Sequence, residues 1–297
     1  MEMKNLFKLI FCLALVACER DITLDLPQVE PKIVLNSISL SGDTIKGKLQ
    51  RSKGIEEIVG DFDAIANASV NVYRNGVLAE TVVSNQDGDF VSIYTPTPGE
   101  EWRISVSANG YTAVGAQTSV PAKREFNITN FNRETLEGNN YLTFTIQFTD
   151  PGNEKNYYSL RASKLTYDFF AEDFSESILN INTQYEPILQ ENVSVDDINP
   201  VFSDDIINGK TISIRVSVLS GSPYGTEPFP EQDTGTYYIY LNHITEDIYT
   251  YQKTLSAYQN AFNDFFSERV KVIGNVNNGF GIFGFYTHHK EMFEVKE

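Results

Sequence analysis

The sequence predicts a mainly β protein with one amphipathic helix, on three observations. Apolar and polar residues alternate along several segments, turn-forming dipeptides recur between them, and one late stretch carries apolar residues at helical spacing.

The alternation comes first. Trp102, Ile104, Val106 and Ala108 alternate with Arg103, Ser105, Ser107 and Asn109. Leu142, Phe144, Ile146 and Phe148 do so with threonines and a glutamine, and Ile212, Ile214, Val216 and Val218 with Ser213, Arg215 and Ser217. A period of two with one apolar face marks a half-buried antiparallel strand. Asn75 and Gly76 sit between valine-rich segments, a two-residue hairpin signal because both turn positions need positive φ. Asp87-Gly88 and Pro98-Gly99 mark further turns. Strand signals from residue 68 to 121 recur at sandwich spacing, so residues 32–122 are expected to form an N-terminal β-sandwich. Residues 121–124 read as a linker. Residues 123–297 are expected to form a larger β-rich domain, with strands near 142–149, 156–170, 211–219, 236–244 and 270–286. Between 168 and 210 the chain is acidic and aperiodic, a kind of segment that is often functional or mobile.

The helix follows Thr245, a capping residue, with Glu246 and Asp247 favourably placed in its first turn. Ile248, Tyr251, Leu255, Tyr258, Phe262 and Phe265 then recur at three- and four-residue steps. The simplest reading is a face packed on a sheet; the other is a partner-binding face.

The N-terminus carries a different signal. Lys4 and Lys8 precede an apolar run at 9–16, far below the roughly 20 residues that span a bilayer. Small Ala17 precedes Cys18. This is the layout of a cleaved signal peptide at 1–17. The string LVAC at 15–18 is similar to the bacterial lipobox, which implies lipid on Cys18 and a tether at 18–31. Acidic residues behind Cys18, interrupted by Arg20, resemble the surface-export signal of Bacteroidetes lipoproteins. The other cysteine, Cys12, falls inside the signal, so no disulfide is expected in the mature chain. The formal net charge is -17, from 40 acidic and 23 basic residues, which makes nucleic acid a poor partner.

No catalytic residue is singled out. The three histidines, His243, His288 and His289, form no motif, and the last two must face opposite sides of an extended strand. The zinc-protease, nucleophile-elbow, P-loop and dinucleotide fingerprints are missing from the sequence. Carboxylates abound, but the sequence places no pair at a working separation. No cofactor is expected; calcium is the weak alternative, with Asp87, Asp89, Asp204 and Asp205 as candidate ligands. The loop around Asp87 has no glutamate at the offset a calcium loop requires, which favours a hairpin turn. Asp43-Thr44-Ile45 resembles the Bacteroidetes O-glycosylation sequon, with Thr44 as the acceptor.

Several spaced strings resemble the DUF4249 lipoproteins of Bacteroidetes. FSERVKVIGNVNNGFGIFGFY at 266–286 is similar to the family's ending, with Asn275, Gly279, Gly281, Phe283 and Gly284 in its N-x-x-G-x-G-x-F-G pattern and Arg269 where proline is usual. FTDPGNEKNYYSLRA at 148–162 and VFSDDIINGK at 201–210 are similar to two further family segments. The resemblance implies an Ig-like or carboxypeptidase-regulatory-like sandwich at the N-terminus and brings no catalytic residue. It also implies an outer-membrane, surface-exposed lipoprotein that partners a β-barrel of TonB-dependent-receptor type. The glycines carry two possible causes: positive φ at a bulge, or a close approach by the helix or by the partner barrel.

The leading expectation is therefore a non-enzymatic surface lipoprotein that assists ligand capture or gating at such a barrel. An accessory subunit of an outer-membrane assembly or secretion machine is the second. A surface hydrolase using acidic residues is the third.

Overall fold

A computed structural model describes residues 29–54, 60–168, 172–190, 196–220, 234–263, 267–268 and 270–296. The expected signal peptide, Cys18 and most of the expected tether lie outside the described residues. The fold is mainly β, with several sheets and, among the described residues, one α-helix.

In chain order the strands are β1 (Ile33–Leu40), β2 (Lys46–Arg51), β3 (Ser69–Arg74), β4 (Val77–Val83), β5 (Asp89–Val91), β6 (Glu101–Ser107) and β7 (Val114–Ser119). There follow β8 (Phe126–Leu136), β9 (Asn139–Thr149), β10 (Tyr157–Asp168), β11 (Asp173–Leu179), β12 (Ile181–Asn182), β13 (Asp196–Asp197) and β14 (Val201–Ser203). The chain ends with β15 (Thr211–Leu219), β16 (Gly235–Ile244), the helix α1 (Glu246–Asn263) and β17 (Phe280–Val295). They form an eight-stranded sheet in the order β11-β10-β16-β17-β1-β2-β5, with β14 beside β10. A five-stranded sheet runs β13-β12-β15-β9-β8 and a four-stranded sheet β4-β3-β6-β7.

The long strand β17 joins two cores. Its first half pairs in parallel with β1, from Val34↔Phe280 to Leu40↔Tyr286, and the rest pairs antiparallel with β16. Phe283 and Phe285 complete a core with Trp102, Ile104, Val70 and Leu35, between the four-stranded sheet and the β1–β2–β5 part of the large sheet. Val295 joins a second core with Phe144, Ile146, Tyr158 and Leu241, between the five-stranded sheet and β10–β16. Each such side chain contributes roughly 1.5–3 kcal/mol by leaving water. The boundary expected at 122/123 is thus crossed by backbone pairing, because the last strand supplies aromatic residues that the N-terminal core contains.

The expected hairpin at Asn75 and Gly76 joins β3 to β4, and both residues have positive φ, 48° and 82°. The strand expected at 270–286 is corrected: extended pairing begins only at Phe280 and runs to Val295. The residues before it are engaged by side-chain and bridge contacts described below. The aperiodic reading of 168–210 is corrected in part. β11 is an edge strand of the large sheet, paired along β10 from Asp168↔Asp173 to Ala162↔Leu179. Exposure of most of its residues on both faces removes the alternation that would reveal it.

Helix α1 lies on the face of the large sheet opposite the two cores. Ile248 packs there with Ile244, Ile282 and Val201, and the Tyr157 and Tyr249 rings meet tilted, with centroids 4.9 Å apart. Thr245 caps the helix through its Oγ1, which accepts from Ile248 N–H at 3.4 Å. Among the described residues no helix is long and apolar enough to cross a membrane.

Candidate functional site

The glycine-rich ending forms the floor of a cleft. Residues 270–279 approach β17 as a strap outside the strands. Asn275 turns its side chain onto the strand: Oδ1 accepts Phe283 N–H at 2.9 Å, and Nδ2 donates to Phe283 O at 2.8 Å and to Asp247 Oδ2 at 3.0 Å. One amide thereby ties strap, strand and the first turn of α1. Asn277 bridges to Gly115 at the edge of β7, and Val276 enters the N-terminal core.

The glycines divide the two causes between them. Gly281 has φ +104°, and a Cβ there would fall on the carbonyl oxygen of Leu35 across the parallel β1–β17 seam. Gly279 has no positive φ, but a Cβ would meet Ile33 O at 2.5 Å and Val114 Cγ1 at 2.7 Å. Gly284 lies under the helix, where a Cβ would meet Ile248 Cγ1 at 2.6 Å. All of these approaches are made by the chain itself.

The cleft, about 710 Å³ in volume, opens where α1 runs past the packed part of the sheet. Tyr251, Leu255 and Tyr258 of α1 form one wall, and Val34, Asn36 and Gln50 of β1 and β2 the other. Gly274, Val276, Gly279, Phe280 and Gly281 form the floor, with Lys53, Phe62, Lys271 and Ile273 around the mouth. Ile273 N–H donates to Thr254 Oγ1 at 3.0 Å, which fastens the strap to the helix. Phe62, Tyr258 and Phe280 keep 58, 41 and 50% of their surface exposed. Lys53 Nζ stands 5.8 Å from the centroid of the Phe62 ring, and Lys32 Nζ 5.5 Å from that of Phe280. Lys53 also donates to the carbonyls of Gly60 and Asp61. Asn36 Oδ1 is buried and accepts no hydrogen bond. The apolar stripe of the helix is thus divided: Ile248 packs on the sheet, Tyr251 packs against the same cluster and also lines the cleft, and Leu255 and Tyr258 face the cleft.

Of the weak calcium candidates, Asp89, Asp204 and Asp205 have carboxylates in ion pairs, and Asp87 is held through its backbone. Asn85 Oδ1 accepts the N–H groups of Asp87 (3.0 Å) and Asp89 (2.8 Å), and Asp89 pairs with Lys48 at 3.2 Å. Asp204 is buried, and its Oδ2 accepts Asn156 N–H at 2.7 Å; Lys155 pairs with both Asp204 and Asp205. Among the described residues no group of three or more His, Cys, Asp or Glu stands together as a metal site. Thr44 is exposed in the β1–β2 connection, next to fully buried Ile45.

The histidines are likewise held in structural contacts. His243 is buried against Tyr158, its Nδ1 2.6 Å from Ala122 O, and burial lowers its pKa. His288 and His289 take opposite faces of β17: His288 meets Tyr240 edge-on, and His289 Nδ1 accepts Phe126 N–H at 2.9 Å. Burial, with Lys123, Lys290 and Arg161 nearby, lowers the pKa of His288.

The two inner family-like strings interlock. Asp150 accepts from the Tyr158 hydroxyl at 2.5 Å and from Gly209 N–H at 3.1 Å, and Tyr158 stacks on Phe202 at 5.2 Å. Burial and Asp150 together push the Tyr158 pKa up. These strings therefore build the second core, whereas the C-terminal one reaches the surface at the cleft.

Fold and site define a class: a multi-sheet β protein with a preformed aromatic cleft beside its lone described α-helix. The chain belongs to the DUF4249 family, a domain of unknown function, whose sequence model matches residues 19–292. No curated protein matches it in sequence.

Sequence reasoning missed Asn36, Lys53, Phe62, Lys271 and Phe280 as cleft residues. Phe280 alone carried a signal, as a large ring set among glycines; the others meet only through tertiary folding.

Proposed function

We propose that this is a non-enzymatic binding lipoprotein, anchored by lipid on Cys18 to the outer membrane and facing the cell exterior. It works beside a β-barrel of TonB-dependent-receptor type, where it assists ligand capture or gating. The observation that carries the binding part is the cleft. Its volume lies in the range of roughly 300–1,000 Å³ typical of small-molecule sites, and its lining is mostly apolar and aromatic. Two residues of the family's C-terminal pattern, Gly279 and Gly281, line it, so part of the most recognisable string of the chain reaches the cleft. The anchor and the location rest on the lipobox-like LVAC and the charged stretch behind it. The barrel partner rests on what the family resemblance implies.

A second reading, an accessory subunit of an outer-membrane assembly, is favoured by the edge strand β4. Val77, Leu78 and Val83 are exposed there, where β-sheet pairing ends. An exposed apolar edge invites another chain.

Affinity purification from native outer membranes in mild detergent tests the proposal. The expected companion is a stoichiometric β-barrel, and ligand import through that barrel distinguishes capture from assembly. A chain recovered without any barrel contradicts both readings.

A further inference from the structure

We infer that the cleft takes a small organic anion with an apolar body, its oxyanion at the mouth and its apolar part over Phe280. The inference rests on the cleft being the binding site and adds the chemical class of the ligand. Acidic residues outnumber basic ones 40 to 23 in this chain. Yet the described residues lining the cleft include Lys53 and Lys271 and no aspartate or glutamate. Against so acidic a background, a lysine-bearing mouth attracts anions and the remaining surface repels them. Lys53 and Lys32 also stand over the rings of Phe62 and Phe280, so ammonium groups and aromatic surface are presented side by side. Val34, Leu255 and Val276 supply hydrocarbon to the same lining, beside the amides of Asn36 and Gln50 and the hydroxyls of Ser52 and Tyr251. An apolar body covers that hydrocarbon, and a second charge there would lose water against groups that carry no charge.

Two dyes of one skeleton test this: 1-anilinonaphthalene-8-sulfonate, an anion, and N-phenyl-1-naphthylamine, which lacks the sulfonate. Fluorescence titrations use the full chain carrying Cys18→Ala, which holds no lipid of its own. The sulfonate is expected to bind once per chain and about tenfold more tightly than the neutral dye. Lys53→Gln with Lys271→Gln should weaken the sulfonate alone and close that gap. Tyr258→Glu, at an exposed position, should repel the sulfonate more than the neutral dye, and Leu255→Trp should weaken both by filling the cleft. Thermal melts check that each variant is folded; if Leu255→Trp is not, Tyr258→Glu carries the localisation. Equal binding of the two dyes, unchanged by the lysine substitutions but weakened by Leu255→Trp, would overturn the anion assignment and leave the cleft as a binding site. Failure of both dyes to bind, or binding that no cleft substitution alters, would overturn the cleft itself.

Discussion

The carboxamide of Asn275 lies against the backbone of Phe283 as another strand would, accepting its N–H at 2.9 Å and donating to its carbonyl at 2.8 Å. A side chain thereby satisfies a peptide group at the start of β17, while the same Nδ2 holds Asp247 at the beginning of α1. Asn275→Ala should lower stability by about 1–3 kcal/mol, since it leaves Phe283 with unmet bonds. Asn275→Asp should be worse at neutral pH, because its carboxylate would face the Phe283 carbonyl and Asp247. Urea melts of the two variants check the order; an aspartate variant as stable as wild type would contradict it.

The glycines are expected to respond unequally. Gly281→Ala combines positive φ with a collision against the Leu35 carbonyl, and should cost more than about 1 kcal/mol. Gly284→Ala meets Cγ1 and Cδ1 of the Ile248 side chain rather than backbone, so it should be milder, and Ile248→Ala, which removes both atoms, should cost less beside it than in the wild-type chain. Ile248→Ala should not rescue Gly281→Ala. Thermal melts of the single and paired variants decide this, and equal rescue of both glycines would refute the division.

Glu176 gives the stability a predictable response to acid. Burial alone would raise its pKa, but bonds from Lys290 (2.5 Å), Ser163 (2.6 Å) and the Tyr240 hydroxyl hold it down to about 2. Its unfolded value is about 4.3. The folded value is the lower one, so the contribution is present above pH of about 4.3 and is lost as pH falls from there toward 2. Glu176→Gln should therefore lose stability at neutral pH and show a shallower fall over that acid window. A variant with the wild-type slope would show that other groups govern it.

Cys18→Ala should leave the precursor unprocessed and release the chain from membranes. Fractionation after carbonate washing checks this, and a variant that still pellets with outer membranes would rule out the lipid anchor.

What the sequence made legible was local. Alternation exposed Trp102 to Val106, and Asn75 with Gly76 marked its hairpin, because each pattern needs only neighbours in the chain. The parallel β1–β17 pairing was hidden, since Ser39 and Phe285 meet only after some 245 intervening residues fold. β11 was hidden because an edge strand exposed on both faces carries no apolar period. For the site, the glycine pattern was visible but its cause was not: distinguishing Gly281 from Gly284 requires φ and the position of Ile248. The cleft lysines gave no signal at all, as a lysine acquires this meaning only from the rings it stands beside.

The most direct test places a photo-reactive benzoylphenylalanine in intact cells, at Tyr258 in the cleft wall or at Val77 on distant β4. Intact-mass analysis of the purified chain reads the adducts. The account predicts a discrete adduct from Tyr258, either a small molecule or a barrel chain, and none of that mass from Val77. Adducts from Val77 alone would contradict it and shift the binding role to the exposed β4 edge.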